Sequence, residues 1–331
     1  MTLPPTPHVD GPKTRQIVRF SARQQRAVEE LERLRRKAPC RVANASRNAG
    51  AELGRHRRWR PARDSLWEFL EPVFGDGARV AIVGAGNGDD LPLRRIARRA
   101  GAVTLVDLDP RAARGARHQL GRAERAKVDV IGHDVTEGAA DRIVLATLGG
   151  SGAGAGAHDD RLTDGGRGAG EAVDLLPPTA DKGGGARPLP GAPYDLVVGD
   201  LFYSQLLYPA LVDLGVDPDR RAATLVRQAP SLTREVVARL HASAPRVVHV
   251  HDPIAWWDGH EQPMTLERIL DVAHVEGPEA ALALAGRGVG PRESDPRAAL
   301  AGLGLTPAAT ALWHWPFAPG VDYLACATLA G

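Results

Sequence analysis

Cysteine is nearly absent: in 331 residues only Cys40 and Cys326 carry a thiol, and they lie far apart in the chain. That scarcity argues against a disulfide framework and against a cysteine-ligated zinc site, and it points to a reducing compartment, so the chain is expected to be cytoplasmic. Long apolar runs are missing as well. The most hydrophobic stretches are strand-sized, and no transmembrane helix is expected. The opening MTLPPTPHVDGP lacks the apolar segment of a secretory signal. Lysine is scarce beside arginine in a chain rich in Ala, Gly and Pro, a pattern of G+C-rich coding that discounts each arginine as a functional signal. There is no Gly-Lys-Ser/Thr phosphate loop, and no interleaving of aromatic and basic residues typical of a nucleic-acid module.

What is present begins with uneven charge. Residues 13–63 hold 16 Lys or Arg against Glu29, Glu30, Glu32 and Glu52, a local net of +12 in a chain of net +2, so the remainder sums to −10. A basic arm on an acidic body either meets an anionic partner, nucleic acid or protein, or docks on its own acidic domain.

The composition divides the chain. Residues 1–20 read as a disordered tail, and 21–78 as a helical cap. Ser21 with Gln24 makes a capping-box pattern, and Ala27, Val28, Leu31 and Leu34 make an apolar stripe on a helix that Pro39 is expected to end. A second helix is expected from Pro61, carrying Leu66, Trp67, Leu70 and Phe74. From residue 79 to 331 short β runs alternate with helices: RVAIVGAG, AVTLVDLD, KVDVIGHD, YDLVVGDLF and RVVHVHDP. Near-continuous Val, Ile and Leu in these runs suggests strands buried on both faces of a parallel sheet. The last two runs, TALWHW and DYLACAT, are joined by a short turn and must pair antiparallel. The expected fold is α/β: a doubly wound, mostly parallel seven-stranded sheet with a C-terminal antiparallel hairpin and an N-terminal helical extension. Two insertions are expected within it. Residues 149–193, with 13 glycines and five prolines, read as a flexible linker, and 256–309 as a lid-like segment.

The first strand runs into Gly84-Ala85-Gly86-Asn87-Gly88, where glycines at a strand-to-helix turn let a ligand approach the backbone. A dinucleotide fingerprint would need glycine where Asp89 stands, and Asp89 with Asp90 would repel a pyrophosphate but not a cationic cofactor. About twenty residues on, Asp107 ends the second strand and is placed to accept ribose hydroxyls, with Leu108 beside it. Asp134 ends the third strand and is placed to receive an adenine amino group, with Val135 beside it. Asp200 ends the fourth. Acids thus recur at the carboxyl ends of successive strands, where open α/β sheets bind ligands.

On these residues the chain resembles the class I S-adenosylmethionine-dependent methyltransferases. VAIVGAGNGDDLPL is similar to the family's first motif, VTLVDLDP to its ribose-binding acid, GHDV to its adenine-binding acid, and YDLVVGDLFYSQL to its fourth motif. The resemblance implies S-adenosyl-L-methionine as cofactor, bound by Gly84, Ala85, Gly86, Asn87, Gly88, Asp107, Leu108, Asp134, Val135 and Asp200. It implies an enzyme that transfers the methyl group to a small or medium-sized acceptor. One position departs from the family pattern: the acid two residues before the first glycine is Ile82 here. Spermidine-synthase-like members share an apolar residue there, which keeps aminopropyl transfer open, beside a non-catalytic RNA- or protein-binding module on the same fold. The Asn/Asp-Pro-Pro-Tyr signature of planar-nitrogen acceptors is absent.

Asp200, Tyr203 and His251 are the candidate catalytic residues, since the methyl should project toward the ends of strands four and five. His249, His251 and Asp252 form an HxHD cluster that, with His260, has the ingredients of a metal site; ordinary hydrogen bonding is the commoner role of strand-end histidines, and no metal is expected. Trp256, Trp257, Trp313 and Trp315 are candidates for an apolar acceptor pocket or for the core.

Overall fold

The computed structural model describes residues 22–49, 54–149 and 186–331. The tail at 1–20 and most of the glycine-rich segment lie outside them. The elements are α1 (Ala22–Arg35), α2 (Pro39–Ala49), α3 (Arg55–Arg58), α4 (Arg60–Leu70), β1 (Arg79–Val83), α5 (Leu93–Arg99), β2 (Ala102–Asp107), α6 (Pro110–His118), α7 (Arg122–Arg125), β3 (Val128–Gly132), α8 (Ala139–Gly149), β4 (Leu196–Asp200), α9 (Tyr208–Asp213), α10 (Pro218–Ser243), β5 (Val247–Trp257), α11 (Leu266–Glu276), α12 (Pro278–Ala285), α13 (Pro296–Gly302), β6 (Pro307–Ala318) and β7 (Val321–Ala330).

The seven strands form one sheet in the order β3-β2-β1-β4-β5-β7-β6. The first five run parallel, and β7 lies antiparallel between β5 and β6. This is the doubly wound architecture with a terminal hairpin that the sequence implied. Strand order reverses between β1 and β4, which opens a crevice at their carboxyl ends. Alternation along each strand sorts side chains to two faces. Val80, Ile82, Leu105, Val198, Val250 and Ala327 pack under α4, α5 and α6. Ala81, Val83, Val197, Val247 and Ala330 pack under α10 and α13. Both faces are covered, which is why the strands read as continuous apolar runs.

The N-terminal helices split into two structural roles. Trp59, Ala62, Leu66 and Leu70 enter the main core, so α4 is a layer of the sheet domain. By contrast, α2 packs through Cys40 and Ala43 against α8 and α9, above the carboxyl edge of the sheet. Pro39 is the first residue of α2, not the last of α1; a proline N–H is dispensable in a first turn, so one residue both halts α1 and opens α2. The apolar stripe on α1 is exposed at Val28, Leu31 and Leu34.

Residues 186–193, the end of the expected linker, are largely exposed but anchored at Leu189. Leu189 is 2% exposed, its N–H donates to Ser243 Oγ, and Pro190 O accepts from Tyr194 Oη. In the 256–309 segment, α11 and α12 bury Leu266, Ile269 and Ala281 against Ile254 and Leu324 of the sheet. They sit over the hairpin, while α13 packs on the face shared with α10. Among the described residues no helix is long and apolar enough to cross a membrane.

Candidate active site

At the end of β1 the chain turns through Gly84, Gly86 and Gly88, with φ of 81°, 46° and 67°. A Cβ on Gly84 would lie 2.7 Å from the Asp200 carbonyl oxygen and 3.0 Å from Phe202 Cβ. Only glycine fits where β1 and β4 part. Ala85 is buried in the core, and Asn87 donates to the Asn48 carbonyl at 2.8 Å.

Asp107 holds this turn. Its carboxylate accepts the N–H groups of Gly86 and Asp109, each at 2.7 Å, and the Asn44 side-chain amide at 3.1 Å. Burial raises its proton affinity, against the pull of those donors. Asn48 reaches Asp109 at 3.4 Å, so α2 lies across the end of β2. Asn44 is a contact that sequence reasoning missed, because nothing in the local pattern of α2 reveals which helix face meets β2. Leu108 packs with the α2–α8 cluster.

Asp134 caps its own loop, accepting from Thr136 N–H, Thr136 Oγ1 and Gly138 N–H at 2.7–2.8 Å. The Val135 carbonyl accepts from Arg239. Beside them opens a cavity of about 550 Å³ lined by His133, Asp134, Glu137, Arg187, Pro188 and Pro190.

Asp200 differs from both. It is 2% exposed, and neither carboxylate oxygen has a hydrogen-bond partner among the described residues. Burial, with the nearby Asp90 charge, pushes its carboxyl well above the usual range. Asp90 is itself pushed up to about 6, chiefly by burial. Its neighbour Asp89 is paired: Arg55 grips the side chain with Nε at 2.9 Å and with Nη2, and Arg63 donates to its carbonyl. Much of the basic arm is spent within the chain in this way. Arg47 meets Asp213, and Arg58 donates to the carbonyls of Pro316 and Phe317.

The structure separates the three candidate catalytic residues. Asp200 follows Leu196 and Val198 on the α4 face of the sheet. Tyr203 lies on the opposite face among Val236, Val237 and Leu240, with Oη 2.5 Å from His249 Nδ1, and His249 Nε2 is 3.1 Å from His241 Nε2. His251, in phase with His249, stands 3.4 Å from Asp295 beneath α13. Burial lowers the proton affinity of both histidines. Among the described residues no group of three metal-ligating side chains forms, and His260 stacks on Trp257 with centroids 3.9 Å apart. Tyr203→Phe is therefore expected to strand the buried His249 nitrogen and cost about 1–3 kcal/mol in chemical denaturation. Turnover per folded molecule should stay within about twofold, and a large fall there would return Tyr203 to the catalytic side.

Asp252, two residues beyond Val250 and close enough to Tyr323 for its charge to act on that phenol, falls on the Asp200 face instead. Ser204 Oγ donates to its two oxygens at 2.9 and 3.1 Å, and burial pushes its carboxyl up to about 6. The period of two along β5 was the available signal for choosing Asp252 over His251. Beyond it on the same face come Tyr323 of β7 and Trp315 of β6, rings 5.5 Å apart, with Trp59 5.0 Å from Trp315. Trp313 is buried nearby. Trp256 instead donates to the Met264 carbonyl, and Trp257 is exposed.

No family model matches this sequence, and no curated protein does. Among solved structures the chain is similar to magnesium protoporphyrin IX methyltransferase from Synechocystis PCC 6803. With bound SAH the identity is 14% and the TM-score 0.39, over 91% of this chain and 99% of that one. With bound SAM the values are 12% and 0.40, over 91% and 95%. It is also similar to a SAM dependent methyltransferase from Aquifex aeolicus, at 11% identity and TM-score 0.34, over 94% and 98%.

Proposed function

We propose that this protein is a methyltransferase that binds S-adenosyl-L-methionine across the carboxyl ends of β1–β4. The observation that carries the reading is Asp200: a carboxylate buried without a partner among the described residues, at the switch point of the sheet and beside Gly84, where a side chain has no room. A buried, unpaired carboxylate is costly unless a ligand supplies its counter-charge. The donor set fits this cofactor. Ile82, where the family has an acid, is sealed in the core, so Asp90 and Asp200 are the acids left to face a cationic group at the turn.

Gly84, Ala85, Gly86, Asn87 and Gly88 would hold the cofactor's amino-acid end, Asp107 with Leu108 the ribose, and Asp134 with Val135 the adenine beside the 550 Å³ cavity. A carboxylate has about four lone-pair sites; Asp107 uses two for its turn and one for Asn44, a donor that a ribose hydroxyl can replace or join. The cofactor brings an already activated methyl on a sulfonium. The protein's own tasks are to hold the acceptor in line, exclude water and manage charge. Here α2 covers the cleft edge, Asp200 and Asp90 set a negative field, and Asp252 stands one strand further on. We place the enzyme in the cytoplasm, acting on a small or medium-sized acceptor.

Calorimetry tests the assignment. S-adenosylhomocysteine and S-adenosylmethionine should bind and NAD should not. Asp107→Ala should lose at least about 1.5 kcal/mol of that affinity, because a charged acceptor is removed. Tight NAD binding without any response to S-adenosylhomocysteine would sink it.

A further inference from the structure

Four adjacent strands present a staggered row of side chains on the α4 face: Asp200 on β4, level with Val250, and then Asp252 on β5, Tyr323 on β7 and Trp315 on β6 further along, past the irregularity between His251 and Ile254. The row starts at the proposed cofactor turn and leads away from it, so it is where an acceptor meets the methyl group. Two of its groups are buried and unsatisfied. Asp200 has no partner for either oxygen, and the Trp315 indole N–H, in a residue 5% exposed, has no acceptor among the described residues. Buried polar groups are otherwise hydrogen-bonded, so the two orphans, one at each end of the row, mark a ligand site.

The charge of the row identifies the ligand class. Asp200 and Asp252 supply two buried carboxylates, and Asp90 a half-buried one beside Asp200. Among the described residues Arg55, already paired with Asp89, and Arg63 act on Asp90, and no cation offsets Asp200 or Asp252. S-adenosylmethionine, with a sulfonium, an ammonium and a carboxylate, brings one net positive charge. With the three acids ionised opposite Arg63 and the cofactor, one negative charge is left over on the face that carries Tyr323 and Trp315, and aromatic faces attract cations. A carboxylate or phosphate acceptor would be repelled. An alkylammonium, with a pKa of about 10.4 as in lysine, is a far stronger acid than an alcohol. A carboxylate raised to about 6 takes its proton at a much smaller cost, which the irreversible methyl transfer then draws forward.

We propose that the acceptor is an aliphatic amine, bound as its ammonium between Asp252 and the Tyr323–Trp315 rings. This rests on the methyltransferase reading above. The ammonium proton passes to the Asp252 carboxylate, which Ser204 holds in place. The freed nitrogen lone pair then forms the N–CH3 bond as the S–CH3 bond breaks, its electron pair staying on sulfur. The products are a methylated ammonium, a neutral thioether and a protonated Asp252 that returns its proton to solvent. The groups facing Asp252 are Ser204 and Tyr323, and the Tyr323 phenol, pushed up to about 12 by burial and the Asp252 charge, stays neutral throughout.

The test uses the full chain at saturating S-adenosylhomocysteine, with n-hexylamine, 1-hexanol and hexanoate as probes. Hexylamine should raise the melting temperature, the alcohol and the carboxylate should not, and Asp252→Asn should weaken the amine at least tenfold while still binding S-adenosylhomocysteine. A second arm follows methyl-labelled cofactor into small-molecule cell extract before and after the primary and secondary amines are acylated. Label transfer should disappear on acylation. Hexanol or hexanoate binding as well as the amine, an amine response that survives in Asp252→Asn, transfer that survives acylation, or no transfer into untreated extract would each overturn the proposal. Failure of S-adenosylhomocysteine to bind at all would instead remove the methyltransferase reading beneath it.

Discussion

Asp200→Asn should make the protein more stable near pH 8 and nearly inactive. Both effects come from one carboxylate, buried without a partner among the described residues and pressed by Asp90. Its folded pKa lies above the unfolded value of about 3.9, so the folded state binds the proton more tightly. Below that unfolded value both states are protonated and the residue costs nothing. As pH rises toward the folded pKa, stability is lost, and above it the loss is constant. The neutral amide escapes that loss. The melting temperature of Asp200→Asn should therefore exceed that of the parent near pH 8, and the gap should close near pH 4. Turnover should fall about 100-fold or more, as when one preorganised electrostatic group is removed from an active site. An Asn variant less stable than the parent at pH 8, with turnover intact, would show that Asp200 has a hidden partner and no role in the site.

Gly84→Ala is expected to damage fold and site together. The residue sits at φ 81°, where a Cβ is strained, and that Cβ would meet the Asp200 carbonyl at 2.7 Å. Left-handed backbone costs about 1–2 kcal/mol and overpacking typically 1–3, so a loss of about 2–5 kcal/mol is expected. Gly77→Ala separates the two causes, since Gly77 has φ 71° but nothing within 4 Å of its Cβ position. It should lose only the strain part and keep full affinity for S-adenosylhomocysteine, whereas Gly84→Ala should lose at least tenfold. Equal behaviour of the two variants in denaturation and calorimetry would mean that β4 moves aside.

These expectations draw unequally on sequence and structure. Five parallel strands and the terminal hairpin were legible because continuous Val, Ile and Leu runs, cut by Asp-Pro helix starts, report burial on both faces. The glycine turn and the acids at the ends of β2, β3 and β4 were legible because a strand end and the turn after it are local in sequence. Pro39 reads locally as a stop, yet it also opens α2, since a helix-breaking residue and a helix-starting one look alike until the next turn is placed. Tyr203 and His251 were grouped with Asp200 by nearness to strand ends. Alternation along β5 separates His251 from Asp252 locally, but which of the two faces borders the glycine turn is set by pairing with neighbouring strands, a long-range property.

What the sequence by itself determined is the sheet, its winding and the crevice where β1 and β4 part, because hydrophobic period and turn chemistry are written within a few residues. Only the tertiary structure decided that α4 is core while α2 crosses the cleft. It alone brought Asp252, Tyr323 and Trp315 onto the face that carries Asp200. Those residues come from four strands spread over more than a hundred positions, and only sheet pairing and side-chain alternation bring them together on one face.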